Sequence, residues 1–327
     1  MRTDVIVVGG GVIGLTTAVV LAERGVRVRL WTRDEAEDTT SAVAGGLCWP
    51  YRSEPRELVE GWAVRSLRVY EALANDSATT GVRLVPGTMA DTPLSAFPHW
   101  SAQLPGLREA RPDELPEGFG QGLRATVPLL DMPVYLRYLH GRLARAGARV
   151  ERRTVADLRE PAAEAGVVVN CAGLGARELV PDRAVRPVRG QLVLVENPGI
   201  DAWFVATESP TESPATPPAK SSTETTYVLP QPYGVVLGGT AHDDAWDLTP
   251  DPATAEAIVK RCSRVHPALA GARVIGHRVG LRPVRDAVRI ERERTEGGGL
   301  LVHHYGHGGA GVTVAWGCAQ AAADLVS

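Results

Sequence analysis

The hydrophobic positions at the start of the chain form short continuous runs and not an alternation. Val5 to Val8 is one such run, closed by glycines, and predicts a central parallel strand covered on both faces. Val12 to Arg24, closed by Gly25, predicts a helix, and Val26 to Thr32 a second strand, so the chain opens β-α-β. From Thr39 to Pro50 no helical period is visible and small residues dominate, which predicts a loop lying close to something. Glu57 to Ala74 predicts a long helix with Leu58, Trp62, Val69 and Leu73 on one face and Ser66 interrupting them. Between Gly81 and Pro128 frequent Pro and Gly break every pattern, and excursions toward a second domain are expected there. Asp131, Met132 and Pro133 read as a helix start, with Asp131 able to cap amides and Pro133 holding a helical φ. That helix ends at Gly147, and Val150 begins another strand.

Val167 to Asn170 predicts a strand that runs into the small-residue turn Cys171 to Gly175 and returns the chain to its first domain. Gln191 to Val195, Thr226 to Pro230 and Val235 to Gly239 predict strands of a mixed or antiparallel sheet outside that domain. Ser209 to Thr225 is rich in Pro, Ser, Thr and Glu with little to bury; it is expected to be a mobile surface loop, or else to hang over an active-site mouth. A helix over Pro252 to Arg264, strands over Val274 to Val279 and Ala287 to Glu291, and an Ala-rich final helix over Thr313 to Leu325 complete the pattern. The expected division is one discontinuous domain over 1–80, 130–185 and 275–327 and a second over 81–129 and 186–274.

With 327 residues, 44% of them hydrophobic and 22% charged, the chain can bury one large core or two ordinary ones. A formal net charge of −3 provides no field that would gather nucleic acid or anionic lipid. No apolar run reaches membrane-spanning length, the first residues read as a strand and not a signal, and the final Asp324 to Ser327 is no peroxisomal address, so a bacterial cytoplasmic protein is expected. Cys48, Cys171, Cys262 and Cys318 are scattered without zinc or redox spacing and read as buried thiols. His303 and His304 are adjacent on a predicted strand and so point to opposite faces, and no metal is expected there.

Two glycine turns carry the candidate chemistry. Gly9, Gly11 and Gly14 form GxGxxG between strand and helix, where a tight turn, exposed amides at Val12 and Ile13 and the helix dipole suit a pyrophosphate. Asp34 follows at the distance of a residue accepting from an adenosine ribose. Arg33 is placed to face a phosphate or the adenine, unless both merely begin a solvated loop. This turn leaves NAD, NADP and FAD open. Tyr305 to Val312, YGHGGAGV, makes a second small-residue approach to a helix start, which would favour negative charge on the oxygen-bearing edge of an isoalloxazine ring if FAD spans the protein in extended form. Upstream, GLRPVRDAVRIE offers Arg282, Arg285 and Arg289. A guanidinium matches a carboxylate with two parallel hydrogen bonds, although chemistry alone does not choose among the three, and Glu291 and Glu293 are potential partners for Arg285 and Arg289.

These residues resemble the D-amino-acid oxidase family, which includes the D-aspartate oxidases. The likeness rests on VVGGGVIGLTTAVVL, AGGLCWPYR from Ala44, VVVNCAGLGARELV from Val167, RPVRGQ from Arg186, TYVLP from Thr226, GLRPVRDAVRIE from Gly280 and YGHGGAGVTVAWGCA from Tyr305, nearly the whole chain. It implies an α/β fold: a Rossmann-like domain with a parallel sheet binding FAD non-covalently, and an α+β domain whose curved mixed sheet covers the flavin. It also implies Arg282 as the clamp on a substrate α-carboxylate, Tyr227 as its helper, and Gly309 as the carbonyl that accepts from the substrate amine. Gly308, Gly309, Ala310, Gly311, Val312 and Thr313 correspond to the segment lining the flavin, and Thr39, Thr40, Ser41, Gly45, Gly46 and Leu47 to loops around the FAD. Two departures remove bulk near the expected pocket: Thr223 stands where some members carry a second tyrosine, and Ala310 where mammalian members carry one.

The implied reaction is oxidation of a D-amino acid, neutral side chains first, by oxygen to a 2-oxo acid, ammonia and hydrogen peroxide, with no side-chain base at the α-carbon. His307 is assigned to structure or FAD bonding ahead of acid-base work. D-aspartate oxidation, with Arg52 or Lys220 as the extra cation, and glycine or sarcosine oxidation are the alternatives. An NAD-dependent dehydrogenase and an idle FAD-binding scaffold are the competing classes. Family members include dimers, so the resemblance admits a homodimer.

Overall fold

A computed structural model of the chain describes residues 4–49, 54–96, 103–104, 106–207, 225–295 and 297–326. Its strands and longer helices are, in chain order, β1 (Asp4–Val8), α1 (Val12–Glu23), β2 (Arg27–Thr32), α2 (Arg56–Leu73), β3 (Val82–Ala90), β4 (Arg108–Glu109), β5 (Gly122–Leu130), α3 (Met132–Arg145), β6 (Arg149–Arg152), β7 (Val167–Asn170), β8 (Arg186–Val195), β9 (Trp203–Thr207), β10 (Thr225–Gln231), β11 (Gly234–Gly238), β12 (His242–Asp243), α4 (Pro252–Val265), β13 (Val274–Arg294), β14 (Leu300–His307) and α5 (Gly311–Asp324). The architecture is α/β with a mixed sheet. The chain divides into two compact units, one of Met1–Val82, Met132–Arg186 and Arg282–Ser327, the other of Arg83–Asp131 and Pro187–Leu281.

In the first unit β14, β7, β1, β2 and β6 lie side by side in that order, all parallel, with the latter part of β13 antiparallel to β14. The central strands β1 and β7 are buried along nearly their whole length, as a sheet covered on both faces requires. Helix α1 is buried almost all round, from Val12 to Ala22, because it packs against both α5 and α3. Helix α5 packs in turn against α2.

In the second unit β4, β5, β3, β9, β10, β11 and β8 form the order, with β12 beside β8. Neighbours for which a register is defined run antiparallel, except that β3 and β9 are parallel. One apolar core joins Ile258, Cys262 and Val265 of α4 to Val193, Phe204, Val228 and Leu237 of the sheet. The α4 start is capped by the Asp251 carboxylate, which accepts from the Thr254 amide at 2.8 Å.

Four expectations from the hydrophobic pattern change. The buried face of α2 is Val59, Trp62, Ala63, Ser66, Leu67 and Tyr70, while Leu58 is 54% exposed. Ser66 is thus the centre of the face and not an interruption, because its Oγ donates to the Trp62 carbonyl and accepts from the Gly317 amide, leaving no polar atom unpaired against α5. The two strands expected over 274–291 are one strand of 21 residues, whose register against β14 slips between Val284 and Arg289, just after Pro283. The loop expected over 39–50 contains a helical turn, Thr40–Val43. Between Gly81 and Pro128 the Pro- and Gly-broken segment holds β3, β4 and most of β5. The Ser209 to Thr225 insertion, up to Glu224, lies outside the described residues. Among the described residues no helix is long and apolar enough to cross a membrane.

The α5–α2 contact is close enough to test. A Cβ at Gly317 would stand 2.3 Å from the Trp62 backbone, whereas one at Gly141 of α3 meets nothing within 4 Å. Gly317→Ala is therefore expected to cost ~1–3 kcal/mol by overpacking, and Gly141→Ala to stabilise by roughly 0.5–1 kcal/mol as an exposed helical glycine replaced. Thermal melts of the two variants should move in opposite directions.

Candidate active site

The first glycine turn leaves β1 and enters α1. The Gly9 amide donates to the Trp31 carbonyl of β2 at 2.8 Å, which fixes the turn above the sheet edge. A Cβ at Gly14 would stand 1.9 Å from the Gly9 carbonyl oxygen, so this helix can approach its own entering strand only with glycine there. Gly11 is the extended residue before α1; it has no side chain to cap the helix, and the first turn holds no acid. Of the first amides, Val12 donates to Ser41 Oγ at 2.9 Å, which ties the Thr40–Val43 turn to the helix start.

The second glycine turn lies beside the first. Gly308–Ala310 form a tight helical turn that leads into α5, again without a capping side chain or an acid in the first turn. A Cβ at Gly311 would stand 3.9 Å from Val12 Cγ1, which measures how closely the two helix starts approach. Thr313 Oγ1 donates to the Trp49 carbonyl at 3.0 Å and Tyr70 Oη donates to the Val312 carbonyl at 2.7 Å, so the segment after Gly45, Gly46 and Leu47 and the helix α2 both hold the start of α5. Gly9, Gly11, Val12, Ile13, Gly14, Ser41 and Gly308 to Thr313 are thereby collected in one region of one unit.

Other expected residues fall differently. Arg33 and Asp34, at the end of β2, form an exposed ion pair with each other at 2.8 Å, and Thr32 Oγ1 donates to the Asp34 carbonyl. Thr39 Oγ1 donates to the Ala36 carbonyl. Arg282 lies half-buried on β13 in the first unit and Tyr227 on β10 in the second, where its ring packs on the peptide of Gly238 and Gly239: a Cβ on either would stand within 2.5 Å of ring atoms. Arg52, Lys220 and Thr223 lie outside the described residues. Ala310 is buried. Arg289 pairs with Glu291 as expected, but Arg285 pairs with Asp182.

No sequence pattern pointed to Asp182. Its carboxylate accepts from Tyr305 Oη at 2.8 Å and from Arg285 Nε at 3.0 Å, while Arg289 Nη1 donates to the same Tyr305 oxygen at 2.6 Å. Burial opposes its ionisation, but these donors outweigh that and hold the carboxyl below its usual range. The network clamps β13 to β14 two residues before His307. Burial alone pushes the His307 imidazole down to about 3 and, with the neighbouring His307, lowers His304 well below the usual range, so both rings are neutral near pH 7.

Two helix starts side by side, with no acid in either first turn, present amides and positive dipole ends to a single elongated, electron-rich ligand. FAD, which carries a pyrophosphate and an electron-rich ring, fits this donor set. Residues 4–325 match the family model described as FAD dependent oxidoreductase.

The chain belongs to the FAD dependent oxidoreductase family.

FAD is its cofactor, and it is a flavin-dependent oxidoreductase of that family. It is 60% identical over 325 residues to a D-amino-acid oxidase of Streptomyces coelicolor, covering 99% of this chain and 97% of that one. It is 46% identical over 321 residues to a D-amino-acid oxidase of Rubrobacter xylanophilus, covering 98% and 94%. The structure of a glycine oxidase from Geobacillus kaustophilus superposes with a TM-score of 0.80 over 99% of this chain and 94% of that one; at 20% identity that likeness is one of fold.

Gly14→Ala should abolish the yellow colour of the purified protein, because the added methyl forces α1 away from β1; retention of a full flavin spectrum is the opposing result. Asp182→Asn should destabilise by about 1.5–3 kcal/mol near pH 7, where a charge-assisted pair is lost. Because the folded carboxyl is held below its unfolded value of about 3.9, this stabilisation is complete above that pH and disappears as pH falls through the folded value. The melting difference between parent and variant should therefore shrink on acidification.

Proposed function

We propose that the protein catalyses oxidative deamination of D-amino acids with neutral side chains, consuming oxygen and water and releasing a 2-oxo acid, ammonia and hydrogen peroxide. The observation that carries this reading is the pair of helix starts at Val12 and Gly311, so close that a Cβ added at Gly311 would touch the Val12 side chain, on a chain whose similar relatives include D-amino-acid oxidases. The first unit is then a Rossmann-like FAD-binding domain, and the second, with its mixed sheet, the substrate-binding one. A cytoplasmic enzyme and a homodimer belong to the same proposal.

Bound FAD would supply the two-electron oxidising capacity and the reaction with oxygen. The chain's share is orientation and electrostatics. Arg282 holds the α-carboxylate in a bidentate grip and Tyr227 adds a hydroxyl to it. The Gly309 carbonyl accepts from the substrate amine. With the amine neutral, its lone pair supports departure of the hydride, and no side chain needs to take a proton from carbon. His307, buried and neutral, is a structural group in this scheme. The positive end of α5 favours negative charge beside Gly308 to Thr313. Water then hydrolyses the released imino acid.

Peroxide release should follow addition of D-alanine or D-methionine and not their L-isomers; preference for D-aspartate, glycine or sarcosine would move the enzyme to one of the alternative substrates. Arg282→Ala should raise KM steeply while the flavin spectrum stays intact, and unchanged kinetics would remove Arg282 from the site. Tyr227→Phe should lower kcat/KM by roughly tenfold or more, the equivalent of a charge-assisted hydrogen bond of about 1.5–3 kcal/mol.

A further inference from the structure

Three side chains that the reaction does not use meet behind the second glycine turn. His304 and His307 of β14 and Cys318 of α5 are all buried, and one donor atom from each lies within 4.8 Å of the other two. Strand alternation alone would send His304 and His307 to opposite faces, as it does His303 and His304. Gly306, at φ +86°, turns the chain between them, and the two rings come to 5.0 Å at an interplanar angle of 72°. Helix α5 then lays Cys318 against the same side of β14.

His304 Nδ1 lies 3.0 Å from Thr17 Oγ1, itself 2.7 Å from the Ile13 carbonyl, and 3.9 Å from Cys171 Sγ. In the tautomer in which Thr17 donates to Ile13, Nδ1 carries the hydrogen and Nε2 is a bare lone pair. That Nε2 and the Nε2 of His307 are fully buried with no hydrogen-bond partner. A neutral imidazole oriented by a bond through its other nitrogen, next to a second imidazole and a thiol, is the donor set of a soft metal site.

We propose that His304, His307 and Cys318 form a buried site for a thiophilic d10 cation, Zn2+ or Cu+, through which such an ion inhibits the enzyme. The imidazoles bind as neutral donors and keep their N–H protons, while the Cys318 thiol gives up its proton to solvent, so one proton leaves per ion bound. Donors around zinc stand about 3.3–3.6 Å apart, so the site must draw in by roughly 1 Å on binding. His307 immediately precedes the Gly308–Ala310 turn. Drawing its ring toward Cys318 shifts the segment that meets the flavin, and by linkage the ion and FAD weaken each other's binding.

Zn2+ and Cd2+ titrated into the FAD-loaded enzyme test this. Expected are one ion and one released proton per chain, a thiolate-to-Cd2+ charge-transfer band in the ultraviolet difference spectrum, a perturbed visible flavin spectrum and parallel loss of peroxide formation. Cys318→Ala should remove the proton release and the band. Thr17→Val, which removes only the group that orients His304, should weaken Cd2+ binding roughly 10–100-fold. Binding, proton release and band that persist in Cys318→Ala, or no binding to the parent enzyme, would overturn the proposal. If Cys318→Ala fails to hold FAD, unchanged Cd2+ affinity in Thr17→Val overturns it instead. These readouts do not depend on which amino acid is oxidised, so their failure is separable from failure of the substrate assay.

Discussion

The packing of α1 against α5 is the contact on which the site depends. A helix start carries amides with no partner inside the helix, and a protein normally satisfies them with a capping side chain. Here neither helix start carries an acid or a cap of its own, and glycine occupies the positions from which a side chain would intrude. Two such starts stand side by side here, with Gly311 against Val12 and the Val12 amide donating to Ser41. Gly14 lets α1 approach its entering strand, and Gly317 lets α5 approach α2.

Around these helix starts the interior is kept electrically quiet. His304 and His307 are neutral because burial removes the water that would stabilise an imidazolium. The four cysteines are buried thiols, and burial pushes Cys171 and Cys48 up to about 12. An ionised cluster nearby, Asp182 with Arg285 and Arg289, is held together by Tyr305 at the far side of β14 from His304. The dipoles of the two helix starts therefore act on a bound ligand without competition from unpaired charge in the strand that carries the second turn.

Much of this was readable one segment at a time. Val5 to Val8 and Val167 to Asn170 announced buried parallel strands because a strand covered on both faces must be apolar at every position. Gly25 and Gly147 marked helix ends, and both adopt positive φ. Both glycine turns and the family were legible, since the turn chemistry is local and the motifs are long. Ser66 was misread because propensity scores a hydroxyl as a break in an apolar face, whereas its partners, the Trp62 carbonyl and the Gly317 amide, include one 251 residues away. The runs from Val274 to Val279 and Ala287 to Glu291 read as two strands, and only the tertiary pairing shows one strand whose register against β14 slips.

What the sequence by itself determined is the local backbone: where strands and helices begin, which turns need glycine, and which helix starts lack a cap. Those properties follow from sterics and hydrogen bonding within a few residues. Tertiary structure alone decided that Gly311 lies against Val12, that Asp182 rather than a neighbouring glutamate holds Arg285, and that His304 faces His307 and Cys318 and not His303. Such meetings are set by how helices pack on a sheet and by a single positive φ at Gly306, and no spacing along the chain encodes the distance between groups that only folding brings together.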